Sequence, residues 1–213
     1  MALALAALAP LALGFPSAHA DPPAKPDYSN GTVVHFGDSM VDAGLQQSFR
    51  PKFAAEKTRY LNFGKSSTYL ANWAFGPDLS TLYFSHRPAL FLITLGANET
   101  RAKPETRVAS VRQIIKTLKG TPCVWISIPM WKNEPTTLNE MIRRESAPCR
   151  YFDSAGVADQ LPRNRDGIHP TPKGGAVWAD AIWKWLGTQR DTTKGPWILK
   201  AAPAEEHGPR TSG

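Results

Sequence analysis

Ser39, Asp166 and His169 are the residues whose types and spacing suit nucleophilic catalysis. Asp166 and His169 stand three residues apart in Asp166-Gly167-Ile168-His169-Pro170. On one loop, that separation lets the carboxylate reach the imidazole Nδ1–H, fix the tautomer and leave Nε2 free as a general base. The alcohol it would serve is Ser39, in Val33-Val34-His35-Phe36-Gly37-Asp38-Ser39. There a short apolar, β-branched run stops at a glycine and hands over to a helix-like segment. A side chain at such a junction faces a crevice, and the first N–H groups of the helix face any negative charge that develops there. Each piece alone has a plainer meaning: Asp-Ser is ordinary helix-cap chemistry, an asparagine after a strand is a turn residue, and a histidine beside a proline is structural. Their conjunction, in order and each at a loop, points to chemistry.

Positioning these groups requires a scaffold, and strand-like and helix-like stretches alternate along the chain. Strands are expected at 32–36, Arg59–Phe63, Leu90–Leu95, Val124–Ile128 and Tyr151–Asp153. Helices are expected over Gly44–Lys57, with Pro51 kinking or restarting it, and from a Ser67 cap to Trp73 or Ala74. Further helices are expected after Pro104, with Val108, Val111, Ile114, Ile115 and Leu118 on one face, over about Pro135–Glu145, and from Thr171-Pro172 through Leu186. This alternation argues an α/β fold, a three-layer α/β/α sandwich around a parallel sheet of about five strands. The loops Gly37-Asp38-Ser39, Phe63-Gly64-Lys65 and Gly96-Ala97-Asn98 then share the carboxyl edge of the sheet, where open parallel sheets bind ligands.

With those loops in place, the chain resembles the SGNH hydrolases, also called GDSL esterases and lipases. The four blocks that carry the resemblance are Phe36-Gly37-Asp38-Ser39, Asn62-Phe63-Gly64, Leu95-Gly96-Ala97-Asn98-Glu99 and Asp166-Gly167-Ile168-His169-Pro170, spanning roughly 32–187. The resemblance implies a flavodoxin-like sandwich and a serine esterase in which Ser39 attacks a carbonyl, His169 shuttles the proton and Asp166 orients the ring. It also implies an oxyanion hole from the backbone N–H groups of Ser39 and Gly64 and the side-chain amide of Asn98. Two departures stand out: the second block continues Gly-Lys-Ser-Ser where many members have Gly-x-Ser-Gly, and Met40 replaces a frequent leucine. An α/β-hydrolase elbow is disfavoured, because Val41 breaks Gly-x-Ser-x-Gly and the Asp and His share a loop.

A chain of 213 residues suits one domain with tails. Residues 1–20 lack Lys, Arg, Asp and Glu and end in Ala18-His19-Ala20, the form of a signal-peptidase site, so export to the periplasm or outside is expected. Cleavage is favoured over an uncleaved anchor because Pro10, Gly14 and Pro16 interrupt the apolar run; no stable membrane insertion is expected afterwards. Residues 21–31 read as a lead-in, 32–187 as the hydrolase domain and 188–213 as a flexible tail. The net charge of +7 comes without the basic stripe that nucleic acid requires. Cys123 and Cys149 each precede a strand-like run; a disulfide is favoured over two buried free thiols. No Cys/His spacing suits zinc, and no metal or organic cofactor is expected.

Other candidates have duller readings. His35 is expected in the core or on a sheet face and His86 in a solvent-facing connection, while Asp38 stabilises its turn. Trp178, Trp183 and Trp185 suit a helix packed on the sheet. Trp131, in a loop on the crevice side, is a candidate contact for a sugar or acyl chain. The leading reading is an exported esterase removing a small acyl group, acetyl first, from a carbohydrate. Its rivals are an O-acyltransferase on an envelope glycan, a lysophospholipase or thioesterase, and a non-catalytic glycan-binding module.

Overall fold

The computed structural model describes residues 26–209. The expected signal segment 1–20, the first part of the lead-in and the last residues of the expected tail lie outside the described residues.

Five strands, β1 (Thr32–Gly37), β2 (Arg59–Gly64), β3 (Leu90–Thr94), β4 (Cys123–Ile126) and β5 (Arg150–Phe152), form one sheet in the order β2-β1-β3-β4-β5. Every neighbouring pair is parallel. Strands covered on both faces need apolar side chains on both, and alternate residues here feed two separate cores. Val34, Phe36, Phe91, Ile93 and Trp125 point into one. Val33, Leu90, Leu92, Val124 and Ile126 point into the other.

Helices α3 (Leu70–Phe75), α4 (Asp78–His86), α5 (Val108–Thr117) and α6 (Thr137–Glu145) cover the first face, contributing Leu70, Trp73, Leu79, Ile114 and Met141 among others. Helices α2 (Leu45–Ala55) and α8 (Pro172–Gln189) cover the second through Phe49, Phe53, Trp178 and Ile182. Trp178 is buried, as its spacing predicts, while Trp183 and Trp185 are half-buried against the same core. Short helices α1 (Ser39–Asp42), α7 (Ala155–Ala158) and α9 (Ala204–His207) complete the set. The three-layer α/β sandwich expected from the alternating pattern is the one observed. Cys123 and Cys149 form a disulfide at the amino ends of β4 and β5, neighbouring strands. Closing a loop of that length stabilises the fold by about 3 kcal/mol in the chain-entropy model.

Three local expectations need correction. Pro51 does not restart its helix; α2 runs through it. Ser67 does not cap α3, because it sits in a left-handed turn, and the cap is Tyr69, whose backbone N–H donates to the Asn72 side chain (2.8 Å). The expected flexible tail is instead anchored at several points along its described part, 188–209. Trp197 is fully buried in the second core, its indole N–H donating to Thr58 Oγ1 (3.0 Å). Burying such a side chain stabilises by about 3 kcal/mol, enough to anchor a short segment with little other apolar content. Arg190 and Leu199 pair as an antiparallel bridge, and Glu206 takes the Arg150 guanidinium (2.7 Å) and the Tyr151 backbone N–H (2.7 Å).

Candidate active site

The register of the sheet assembles the site. Gly37, the last residue of β1, lies between Gly64 on β2 and Thr94 on β3, so the three loops that follow begin side by side. Gly37 has φ +156, and a Cβ there would fall 1.7 Å from the Thr94 carbonyl oxygen, so only glycine fits. Asp38, fully buried, caps α1 and ties two of the loops together. Its Oδ1 accepts from Met40 N–H (3.0 Å) and its Oδ2 from Gly96 and Ala97 N–H (2.9 Å each). Burial pushes this carboxyl upward, while the three N–H groups and nearby His169 pull it back. Asp38 is therefore the turn-stabilising residue that the sequence suggests.

The cap sets Ser39 at the start of α1, half-buried, with Oγ 2.7 Å from His169 Nε2. His169 Nδ1 in turn lies 2.8 Å from Asp166 Oδ2. The other Asp166 oxygen accepts the backbone N–H groups of Ile168 (2.8 Å) and His169 (3.0 Å), so one carboxylate fixes both the ring and the loop beneath it. The imidazole hydrogen bond, first, and these backbone bonds hold the Asp166 carboxyl down at about 2. It is thus ionised at any pH where an imidazole can act as a base, and it favours the Nδ1–H tautomer. Residues separated by 130 positions in sequence meet here.

Gly64 ends β2 and Asn98 follows β3, the strands on either side of β1. The Gly37 carbonyl accepts from Lys65 N–H (3.0 Å), which leaves the Gly64 N–H off that ladder. A Cβ at Gly64 would meet the Asp42 carboxylate at 2.5 Å, a group that Asn62 Nδ2 holds (2.7 Å), so a side chain there would have to displace it. Asn98, in the 3-10 turn Ala97–Glu99, donates one amide hydrogen to the Thr68 carbonyl (2.8 Å). The amide carries two, so a second remains for another acceptor. Next to it, buried Glu99 accepts from Leu70 N–H (2.9 Å) and pairs with Arg107.

Sequence reasoning missed the residue that braces the histidine loop. Arg163 donates to the carbonyls of Ile168, Pro129 (2.8 Å) and Met130 (3.0 Å), clamping the Asp166–His169 turn to the segment after β4. A lone arginine in an irregular stretch carries no spacing signal; only the three converging carbonyls reveal it. Trp131, next along that segment, is half-buried against the second core. His35 lies fully buried between Tyr60 Oη (2.7 Å) and Thr94 Oγ1 (2.8 Å), and burial lowers it to about 3, so it stays neutral within the core. His86 is half-buried beside the Phe63 ring (5.4 Å). Among the described residues no cluster of three or more His, Cys, Asp or Glu could hold a metal ion, and no helix is long and apolar enough to cross a membrane.

Solved structures with this fold include TesA, at TM-score 0.63 and 21% identity, covering 74% of this chain and 98% of that one. A protein assigned to the lipolytic G-D-S-L family from Desulfitobacterium hafniense matches at TM-score 0.56 and 15% identity, over 73% of this chain and 99% of its own. A carbohydrate esterase family 3 protein from Talaromyces cellulolyticus matches at 0.58 and 14%, over 74% and 97%. No protein-family model matches the chain. The chain shares its fold with solved structures named as G-D-S-L and SGNH hydrolases. It is also 30% identical over 198 residues to Protein BcsX of Komagataeibacter xylinus, spanning 71% of this chain and 74% of that protein, which puts the two in one family.

Proposed function

We propose that this chain is an exported serine esterase that removes a small acyl group, acetyl first among them, from a carbohydrate. The observation that carries the reading is the continuous line from Ser39 Oγ through the His169 ring to Asp166, with contacts of 2.7 and 2.8 Å. Ser39 Oγ attacks the ester carbonyl carbon while its proton passes to His169 Nε2. The carbonyl oxygen takes the negative charge and meets the N–H groups of Ser39 and Gly64 and the free amide hydrogen of Asn98; one such donor is worth about 3 kcal/mol in the transition state. Collapse expels the alcohol, which takes the proton from His169, and leaves acyl-Ser39. Water, deprotonated by His169, attacks next and releases the acid. Asp166 stays ionised throughout and balances the imidazolium.

The carbohydrate part of the reading draws on the carbohydrate esterase of the same fold, and the export part on residues 1–20. Trp131 would lie along the sugar or acyl group. The test is cleavage of a chromogenic acetyl ester, longer-chain esters and an acetylated glycan, with a free glycan present as acceptor. Free acetate as product, with activity falling at longer chains, is expected. Ser39→Ala should lower the rate by at least about a thousandfold with an unchanged melting temperature. Full activity in that variant would remove Ser39 as nucleophile. Acylated acceptor would instead establish the transferase, and a preference for long chains the lysophospholipase or thioesterase.

A further inference from the structure

The carboxyl edge of the sheet continues past the Ser39 crevice to a second concavity of about 450 Å³, walled by the segments after β4 and β5 and by α6 and α7. β4 and β5 lie two and three strands from β1, so the cavity sits about 10–14 Å along the edge from Ser39. The two are joined mechanically: Met130 lines the cavity, and its carbonyl is one of those that Arg163 clamps to the Asp166–His169 loop.

The chemistry of the wall is specific. Ile128, Met130 and Tyr151 give it an apolar floor, over which stand three carboxylates, Glu140, Asp153 and Asp159, and one guanidinium, Arg143. Glu140 Oε1 accepts from Thr136 (3.0 Å) and Asp153 Oδ1 from Ala155 N–H (2.9 Å). In each, the second oxygen stays available to an incoming hydroxyl. Asn139 also lines the cavity, its Nδ2 fixed by donation to the Ile128 carbonyl (2.9 Å).

We infer that this cavity is a second binding site, for a stretch of neutral, polyhydroxylated glycan that runs along the sheet edge from the Ser39 crevice. Hydroxyls donate to the carboxylates and accept from Arg143, while the apolar face of a sugar ring lies on Met130 and Tyr151. Three negative groups against one positive disfavour phosphorylated or carboxylated chains. A small acetyl ester cannot span the separation, so only an extended substrate gains from the cavity. For the identity of its substrate the inference rests on the esterase reading; the binding itself does not.

The test therefore separates binding from cleavage. Unacetylated neutral oligosaccharides of one to six sugars are titrated calorimetrically into the full Ser39→Ala chain, and a chromogenic acetyl ester is cleaved by the chain with Ser39 intact. Affinity should rise with oligosaccharide length. Ala155→Trp, which fills the cavity from an exposed helix position, and Glu140→Ala should each weaken hexasaccharide binding about tenfold, with the small-ester rate and the melting temperature unchanged. Affinity that ignores length, that neither substitution moves, or that is higher for an acidic glycan or a basic peptide overturns the inference. Length-dependent binding that Ala155→Trp abolishes, in a chain that cleaves no ester, supports the cavity and sinks the esterase reading alone.

Discussion

The two sides of the Ser39–His169 hydrogen bond are held in opposite ways. On the Ser39 side the supports are buried: Asp38 has no exposure, Gly37 has no room for a methyl group, and β1 is paired on both edges. On the His169 side the side chains of His169 and Asp166 are 31% and 44% exposed, and the turn that carries them is held by local hydrogen bonds and one arginine clamp. The Ser39 hydroxyl is thus placed by the packing of the whole sheet, and the His169 ring by a surface turn that can be altered without unfolding anything. Damage on the first side should appear as lost fold, and on the second as lost rate.

Gly37→Ala should break the comparison most violently. With the methyl against the Thr94 carbonyl, a stability loss of about 4 kcal/mol or more is expected, read as lost soluble yield and melting transition. Asp38→Ala should come next. It strands the buried N–H groups of Gly96 and Ala97, each costing about 1–3 kcal/mol, and denaturant titration should give a correspondingly lower midpoint. Arg163→Ala should hardly move that midpoint, by about 1 kcal/mol, yet slow ester cleavage about tenfold by loosening the turn. An equal loss of stability there would erase the contrast between the two sides.

The smallest stability effect belongs to Asp166→Asn. Because the folded carboxyl titrates at about 2, below its ordinary 3.8, its charge contributes stability that is complete above about pH 4 and is lost as pH falls through 2. The gap in melting temperature between the native chain and this variant should therefore be constant from neutrality to about pH 4 and close by pH 2. A gap that persists below that would mean geometry, and not charge, holds the turn.

The strands and the chemistry-bearing loops were legible because both depend on local pattern: apolar runs ending at Gly37, Gly64 and Gly96, and a fixed Asp-to-His spacing. What escaped reading depends on contacts distant in sequence. Arg163 matters through the carbonyls of Pro129 and Met130, and a side chain at Gly64 would press on the Asp42 carboxylate, on another element. The segment 188–209 looks polar and uncommitted because three adjacent residues, Trp197, Ile198 and Leu199, carry nearly all its apolar surface, and only Trp197 goes fully inside. Pro51 reads as a helix breaker by propensity, and the tertiary packing of Phe49 and Phe53 overrides it.

The Glu206 carboxylate has a consequence for association. β5 is an edge strand, and its Tyr151 N–H, which would otherwise offer a docking rung to a strand from another molecule, is already occupied. The closing segment thus works as a built-in guard against edge-to-edge polymerisation. Cutting it away would do more than lower the melting point: it would turn one rim of the sheet into a template for its own kind.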